Sequence, residues 1–137
     1  MIFWRRKDRR KKVLIVDDDA NIRGMLAMLF AEQDIRILEA ARGDEAVKLA
    51  QEELPALIVL DINLPGMTGL DALTLLRAGE KTRDIPIIMC TAHDTLDAVE
   101  RCLQAGANDY IQKPFDLQHV LAKVRPFLGG RQQQEES

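Results

Sequence analysis

The stretch that decides the fold is "PALIVLDINLPG", residues 55–66. Between Pro55 and Asp61 run five consecutive apolar residues, Ala56–Leu60, with no polar residue among them. A strand wetted on one face alternates apolar and polar positions. An unbroken run bounded by Pro and Asp reads instead as a strand covered on both faces, as in a parallel sheet. An aspartate then follows directly. At the rim of a core a carboxylate loses solvation, so it is either compensated or used.

The same pattern recurs on both sides. Upstream, "VLIV" at Val13–Val16 is a β-branched run that ends on Asp17, Asp18 and Asp19. Downstream, "IPIIMC" at Ile85–Cys90 runs into Thr91. Two weaker candidates complete the set. "DIRILEA", around Ile35–Glu39, alternates and reads as a strand near a sheet edge. "DYI" at Asp109–Ile111 is a short strand just before Lys113-Pro114.

Helical spacing fills the gaps. Ile22, Met25, Leu26, Leu29 and Phe30 share one helical face, with Asp19 placed to cap it. "GDEAVKLAQEEL" looks helical from Asp44, and Leu70, Leu73 and Leu76 mark the next helix. Leu96, Val99 and Leu103 mark another, which stops at Gly106. Leu117, Val120, Leu121, Val124 and Leu128 predict a last helix ending near Pro126 or Gly129. Strand then helix, five times, implies parallel strands, right-handed crossovers and helices on both sheet faces.

Length and composition fit one such domain. The chain has 137 residues, and 47% hydrophobic content with 4% aromatics points to an aliphatic core. The net charge of −3 is unevenly spread: residues 1–12 carry seven basic residues against Asp8, and the rest is acidic. An acidic body does not favour nonspecific nucleic-acid binding. Cys90 and Cys102 sit in apolar patterns and suggest neither a disulfide framework nor a metal cluster. No apolar run approaches membrane-spanning length, and "MIFW" is too short for the core of a signal peptide. The default location is cytoplasmic.

In a parallel sheet every strand ends on the same edge, where ligands of open α/β folds bind. Asp17, Asp18, Asp61, Thr91 and Lys113 all fall just after such strand ends. At an effective dielectric of about 20, two unit charges about 4 Å apart repel by roughly 4 kcal/mol. One lysine cannot neutralise three acids. A divalent cation can, and an all-oxygen set suits Mg²⁺.

The pieces "VLIVDDD", "LIVLDINLPGMTGLDAL", "MCTAH" and "AGANDYIQKPFD" resemble the motifs of receiver domains of two-component response regulators, of the chemotaxis-regulator type. The resemblance covers Val13 to Leu128. It implies a flavodoxin-like (βα)5 fold, a three-layer sandwich with parallel sheet order 2-1-3-4-5. It matches Asp61 to the phosphoacceptor, phosphorylated in the presence of Mg²⁺ by a sensor histidine kinase or a histidine phosphotransfer protein of a phosphorelay. Asp18 matches the direct metal ligand, Asp17 the acid acting through water, and Asn63 the residue lending a backbone carbonyl. Lys113 matches the lysine that pairs with the phosphoryl oxygens, and the Lys113–Pro114 bond is expected to be cis. Thr91 and Tyr110 match the switch pair. Asn63 and His93 fall where the family tunes phosphate lifetime. The surface expected to change, for a downstream protein target or a phosphorylation-dependent homodimer, spans roughly residues 95–128.

Three parts follow: a basic segment, 1–12; a receiver domain, 13–128; and a polar tail, 129–137, read as disordered. The basic segment reads first as a solubilising tail, with weak contact to an anionic membrane surface as the alternative. No second domain follows Leu128: a complete chain is then expected to be a stand-alone signalling switch without direct nucleic-acid binding, and a piece of a longer protein one whose output domain lies outside it. Its only chemistry would be self-phosphorylation and self-dephosphorylation. Two other classes stay open. A haloacid-dehalogenase-type phosphohydrolase would use Asp17 of Asp17-Asp18-Asp19 as nucleophile, but Asn21 stands where Thr or Val is usual. A flavodoxin-like electron carrier would need a Ser/Thr-rich phosphate loop after the first strand, where three acids stand instead.

Overall fold

A computed structural model of the chain describes residues 9–92 and 96–128. Five strands and five helices alternate along it: β1 (Lys12–Val16), α1 (Ala20–Ala31), β2 (Arg36–Ala40), α2 (Gly43–Glu53), β3 (Leu57–Asp61), α3 (Gly69–Ala78), β4 (Ile87–Thr91), α4 (Leu96–Gln104), β5 (Asp109–Gln112) and α5 (Leu117–Leu128). The strands form one sheet in the order β2-β1-β3-β4-β5, and every pairing is parallel. This is the flavodoxin-like (βα)5 arrangement expected from the sequence. The alternating "DIRILEA" segment is indeed an edge strand.

Strand side chains divide by parity between two cores. Leu14, Val16, Ile58, Leu60, Ile87 and Met89 face α2, α3 and α4. Val13, Ile15, Leu57, Val59, Ile88 and Cys90 face α1 and α5. The unbroken apolar runs are thus explained: β1, β3 and β4 are buried on both sides. At about 25 cal/mol per Å² of apolar surface, these residues supply much of the folding free energy.

Three local boundaries differ from the sequence expectation. β4 begins at Ile87 rather than Ile85, because Pro86 has no N–H to give; its carbonyl instead accepts from the Ile58 N–H at 2.9 Å. β3 extends to Asp61 itself, and β2 lies one residue further on than Ile35–Glu39. Of the two expected ends of α5, the one before Gly129 holds: the helix continues through Pro126, which is exposed, so water can reach the carbonyl that the missing N–H leaves unpaired. The apolar helical stripes are wider than the buried ones: Met25, Leu96, Leu103 and Leu117 are all exposed. Asp19 caps α1 as expected, accepting from the Asn21 N–H at 2.8 Å.

Candidate functional site

The sheet order puts β1 at the point where strand order reverses, with β2 on one side and β3 on the other. Val16 is in register with Leu60, so Asp17 and Asp61 emerge side by side at the strand C-terminal edge. Asp61 is in register with Cys90 on β4, which brings Thr91 to the same rim, and Thr91 is in register with Gln112 on β5. Lys113 follows at once, its N–H donating to the Thr91 carbonyl at 2.7 Å. The Lys113–Pro114 bond is cis, as expected.

Local turns hold the acids in place. The Asp17 N–H donates to the Ala40 carbonyl at 3.1 Å, and an Asp17 oxygen accepts from the Asp19 N–H at 2.9 Å. Asp61 Oδ1 accepts from the Asn63 N–H at 3.1 Å. The loop after β3 closes where the Gly69 N–H donates to the Ile62 carbonyl at 2.8 Å. Gly69 is required here. A Cβ would collide with the Asp61 carbonyl oxygen and lie 2.7 Å from Ile62 Cα, both of them backbone. The start of α3 therefore rests directly on the backbone of Asp61.

The carboxylates of Asp17, Asp18 and Asp61 converge, each offering an oxygen within 4.8 Å of the others. Asp17 and Asp61 are buried, and Asp18 is exposed. Lys113 Nζ donates to Asp17 Oδ2 at 2.6 Å and to Asp61 Oδ2 at 3.2 Å. Burial raises the Asp61 carboxyl pKa; the Asn63 N–H opposes this, the Asp17 charge adds to it and Lys113 opposes it. Burial alone would lower Lys113, but its hydrogen bond to Asp17 and the two acidic charges win, and its pKa is raised. Both partners of one ion pair therefore move upward. Burial drives Asp61 upward and the two acids drive Lys113 upward; with a single lysine shared between two buried carboxylates, the pocket retains an appetite for positive charge. Three oxygen donors, one of them open to solvent, fit a hard divalent cation such as Mg²⁺ that keeps several waters.

Thr91 is buried at the rim. Tyr110 is half-buried and packs against the core under α4, with Lys123 Nζ 5.2 Å from its ring centroid. Asn63 is exposed, its N–H already committed to Asp61. His93 lies outside the described residues. Cys90 forms an inert wall beneath the acids, since burial pushes its thiol pKa far up.

One neighbour had no signal in the sequence. Arg23, on α1, donates to the Asp17 carbonyl oxygen at 2.7 Å and to Glu39 on β2 at 2.9 Å. It ties the backbone of one acid to the edge strand. Arginine four residues after a capping aspartate is ordinary helix surface, and only the fold reveals its target.

Comparison with known proteins agrees with this geometry. The family described as the response regulator receiver domain matches residues 13–125. The chain belongs to that family. It is 38% identical over 118 residues to the phosphate regulon transcriptional regulatory protein PhoB of Klebsiella pneumoniae, covering 86% of this chain and 52% of PhoB. The chain thus spans about half the length of the curated relatives it matches. Among solved structures it resembles the chemotaxis response regulator CheY4 of Vibrio cholerae, with a TM-score of 0.81, 29% identity and coverage of 87% and 99% of the two chains. It also resembles the receiver domain of the sensor histidine kinase PA1611 from Pseudomonas aeruginosa PAO1, with a TM-score of 0.80, 31% identity and coverage of 88% and 98%. That structure has a magnesium ion coordinated in its active site cleft. Family membership displaces both the dehalogenase-type and the flavodoxin-type readings. No helix among the described residues is long and apolar enough to cross a membrane.

Proposed function

We propose that this receiver domain, spanning residues 13–128, works as a phosphorylation switch in the cytoplasm, with Asp61 as the phosphoacceptor. The observation that carries the reading is the meeting of three carboxylates within 4.8 Å around one shared lysine. The donor is the phosphohistidine of a sensor histidine kinase or a histidine phosphotransfer protein. An Asp61 oxygen attacks phosphorus; the new O–P bond forms as the P–N bond breaks, and the imidazole nitrogen keeps the electron pair. Hydrolysis of the acyl phosphate resets the switch, so the domain transfers and releases phosphate only on itself.

Asp17, Asp18, Asp61 and the Asn63 carbonyl would hold Mg²⁺, which when bound neutralises charge on the transferring oxygens and orients them. Lys113 is already placed beside Asp61 Oδ2 and becomes the partner of a phosphoryl oxygen. Burial of Asp17 and Asp61 keeps competing water few. The Thr91 hydroxyl, at the same rim, is the group that a phosphoryl oxygen would draw inward. Tyr110 follows it, shifting the balance between two packings of the α4–β5–α5 surface. That surface serves a downstream protein target, or a second copy of the chain, rather than nucleic acid directly. Asn63 and His93 set how readily water reaches the phosphoryl group.

Incubation with acetyl phosphate and Mg²⁺, followed by peptide mass spectrometry, tests this. The expected product carries its phosphoryl group on Asp61 and is lost in Asp61→Asn or on chelation of the metal. Phosphate on Asp17 would overturn the assignment.

A further inference from the structure

Of the three acids in the pocket, Asp18 is held differently from the other two. The Asp17 carboxylate accepts from Lys113 and from the Asp19 N–H. The Asp61 carboxylate accepts from Lys113 and from the Asn63 N–H. The Asp18 carboxylate is exposed and makes no hydrogen bond or ion pair among the described residues. It nevertheless offers an oxygen within 4.8 Å of the other two acids. Its aim is therefore set by the backbone that carries it.

Arg23 grips that backbone. Its Nη1 donates to the Asp17 carbonyl oxygen at 2.7 Å. This oxygen belongs to the peptide unit that joins Asp17 to Asp18. The unit is planar, so fixing its oxygen fixes the direction in which Asp18 leaves it. Arg23 Nε donates to Glu39 Oε1 at 2.9 Å, which anchors the guanidinium to β2. Glu39 is in register with Ile15 on β1, so the anchor lies on the strand beside the loop being held. The helix itself gains nothing from this cation. Arg23 lies about one turn from the start of α1, where positive charge opposes the macrodipole.

We propose, on the Mg²⁺ reading of the pocket given above, that Arg23 is a positioning residue: by holding the Asp17–Asp18 peptide it aims the Asp18 carboxylate at the cation before the cation arrives. A carboxylate already aimed loses less freedom on binding, and affinity rises accordingly. The charge of Arg23 works the other way, since a guanidinium beside the pocket repels a dication. Removing the side chain therefore separates the two effects by sign. Loss of positioning weakens Mg²⁺ binding, whereas loss of charge alone strengthens it.

Titration of Mg²⁺ into the full chain, followed through its amide NMR resonances, tests this. Arg23→Met keeps the apolar stem and loses every donor and the charge. Its Kd for Mg²⁺ should rise about tenfold, the lower end of the usual cost of removing a group that orients a metal ligand. Arg23→Lys keeps the charge and one donor but not the fork that spans two acceptors, and should bind about threefold more weakly than wild type. Resonances away from the β1–α1 loop and β2 should overlay those of wild type and report an intact fold. With acetyl phosphate, the Mg²⁺ concentration giving half the maximal rate should rise by the same factors, while the rate at saturating Mg²⁺ stays within about twofold. Unchanged or tighter Mg²⁺ binding by folded Arg23→Met would overturn the proposal and leave the function of the pocket standing. Where Arg23→Met does not fold, wild-type affinity in Arg23→Lys overturns it instead. A wild-type chain that binds no Mg²⁺ would overturn the metal reading of the pocket, and the role of Arg23 with it.

Discussion

Replacing Asp61 with Asn should stabilise the metal-free protein, and the geometry of the pocket gives the size of the effect. Oxygens of Asp17, Asp18 and Asp61 lie within 4.8 Å of one another. At an effective dielectric of about 20, each pair at that separation repels by about 3.5 kcal/mol. Asp61 therefore meets roughly 7 kcal/mol of repulsion from its two neighbours, against about 5 kcal/mol of attraction to Lys113 at 3.2 Å. The difference, about 2 kcal/mol, is unfavourable before desolvation is counted. Solvent around the exposed Asp18 screens part of it, so a gain on the order of 1 kcal/mol is expected, or about 3–5 °C in melting temperature. No charge is orphaned by the change, since Lys113 keeps its shorter contact to Asp17 at 2.6 Å. The pH dependence follows from the raised Asp61 pKa. Folding favours the protonated carboxyl, so this contribution is fully present below the ordinary carboxylate pKa of about 4 and is lost as pH rises through the raised folded value. The advantage of Asp61→Asn should therefore open across that window and vanish below it. Thermal melts in chelator across pH, for both proteins, measure it. If Asp61→Asn melts at or below wild type at neutral pH, repulsion does not outweigh the attraction to Lys113 in this pocket.

Three other changes test the frame around the site. Gly69→Ala forces a methyl group onto the backbone of Asp61 and Ile62, and urea unfolding should show a loss of about 3 kcal/mol. Arg77 donates to the carbonyls of Gly106, Arg83 and Ile85 and to the Asn108 side chain, all at 2.7–3.1 Å. Arg77→Lys cannot reproduce that planar fork, and a loss of about 2–4 kcal/mol in the same assay is expected. Thr68→Ala removes the capping box that starts α3, in which Thr68 and Asp71 each accept from the other's N–H; about 1 kcal/mol should go with it.

The sheet was legible because its three inner strands must be apolar on both faces, and a sequence can satisfy that only with runs such as Ala56–Leu60. The pocket was legible because parallel topology delivers every strand end to one rim, so Asp17, Asp61 and Lys113 could be grouped before any distance was known. What the sequence hid were contacts made by ordinary residues. Arg23 and Arg77 look like helix surface, and their targets are carbonyls that lie close only after folding. The width of the helical stripes was hidden too. Met25 and Leu96 have apolar spacing, but exposure depends on how far the neighbouring helix reaches, which spacing does not encode. The start of β4 was misplaced because Pro86 reads as part of an apolar run, while its missing N–H delays the ladder.

The bonds of Arg77 also determine which end of α4 is held. They fasten the turn just beyond its last residues, at Gly106 and Asn108, to the segment that enters β4. Its first residues, Leu96 and Asp97, stand in solvent. The helix is thus clamped at the heel while its toe faces water. Were α4 to move in the proposed switch, that held end would be the pivot and the solvent-facing first turn would travel farthest.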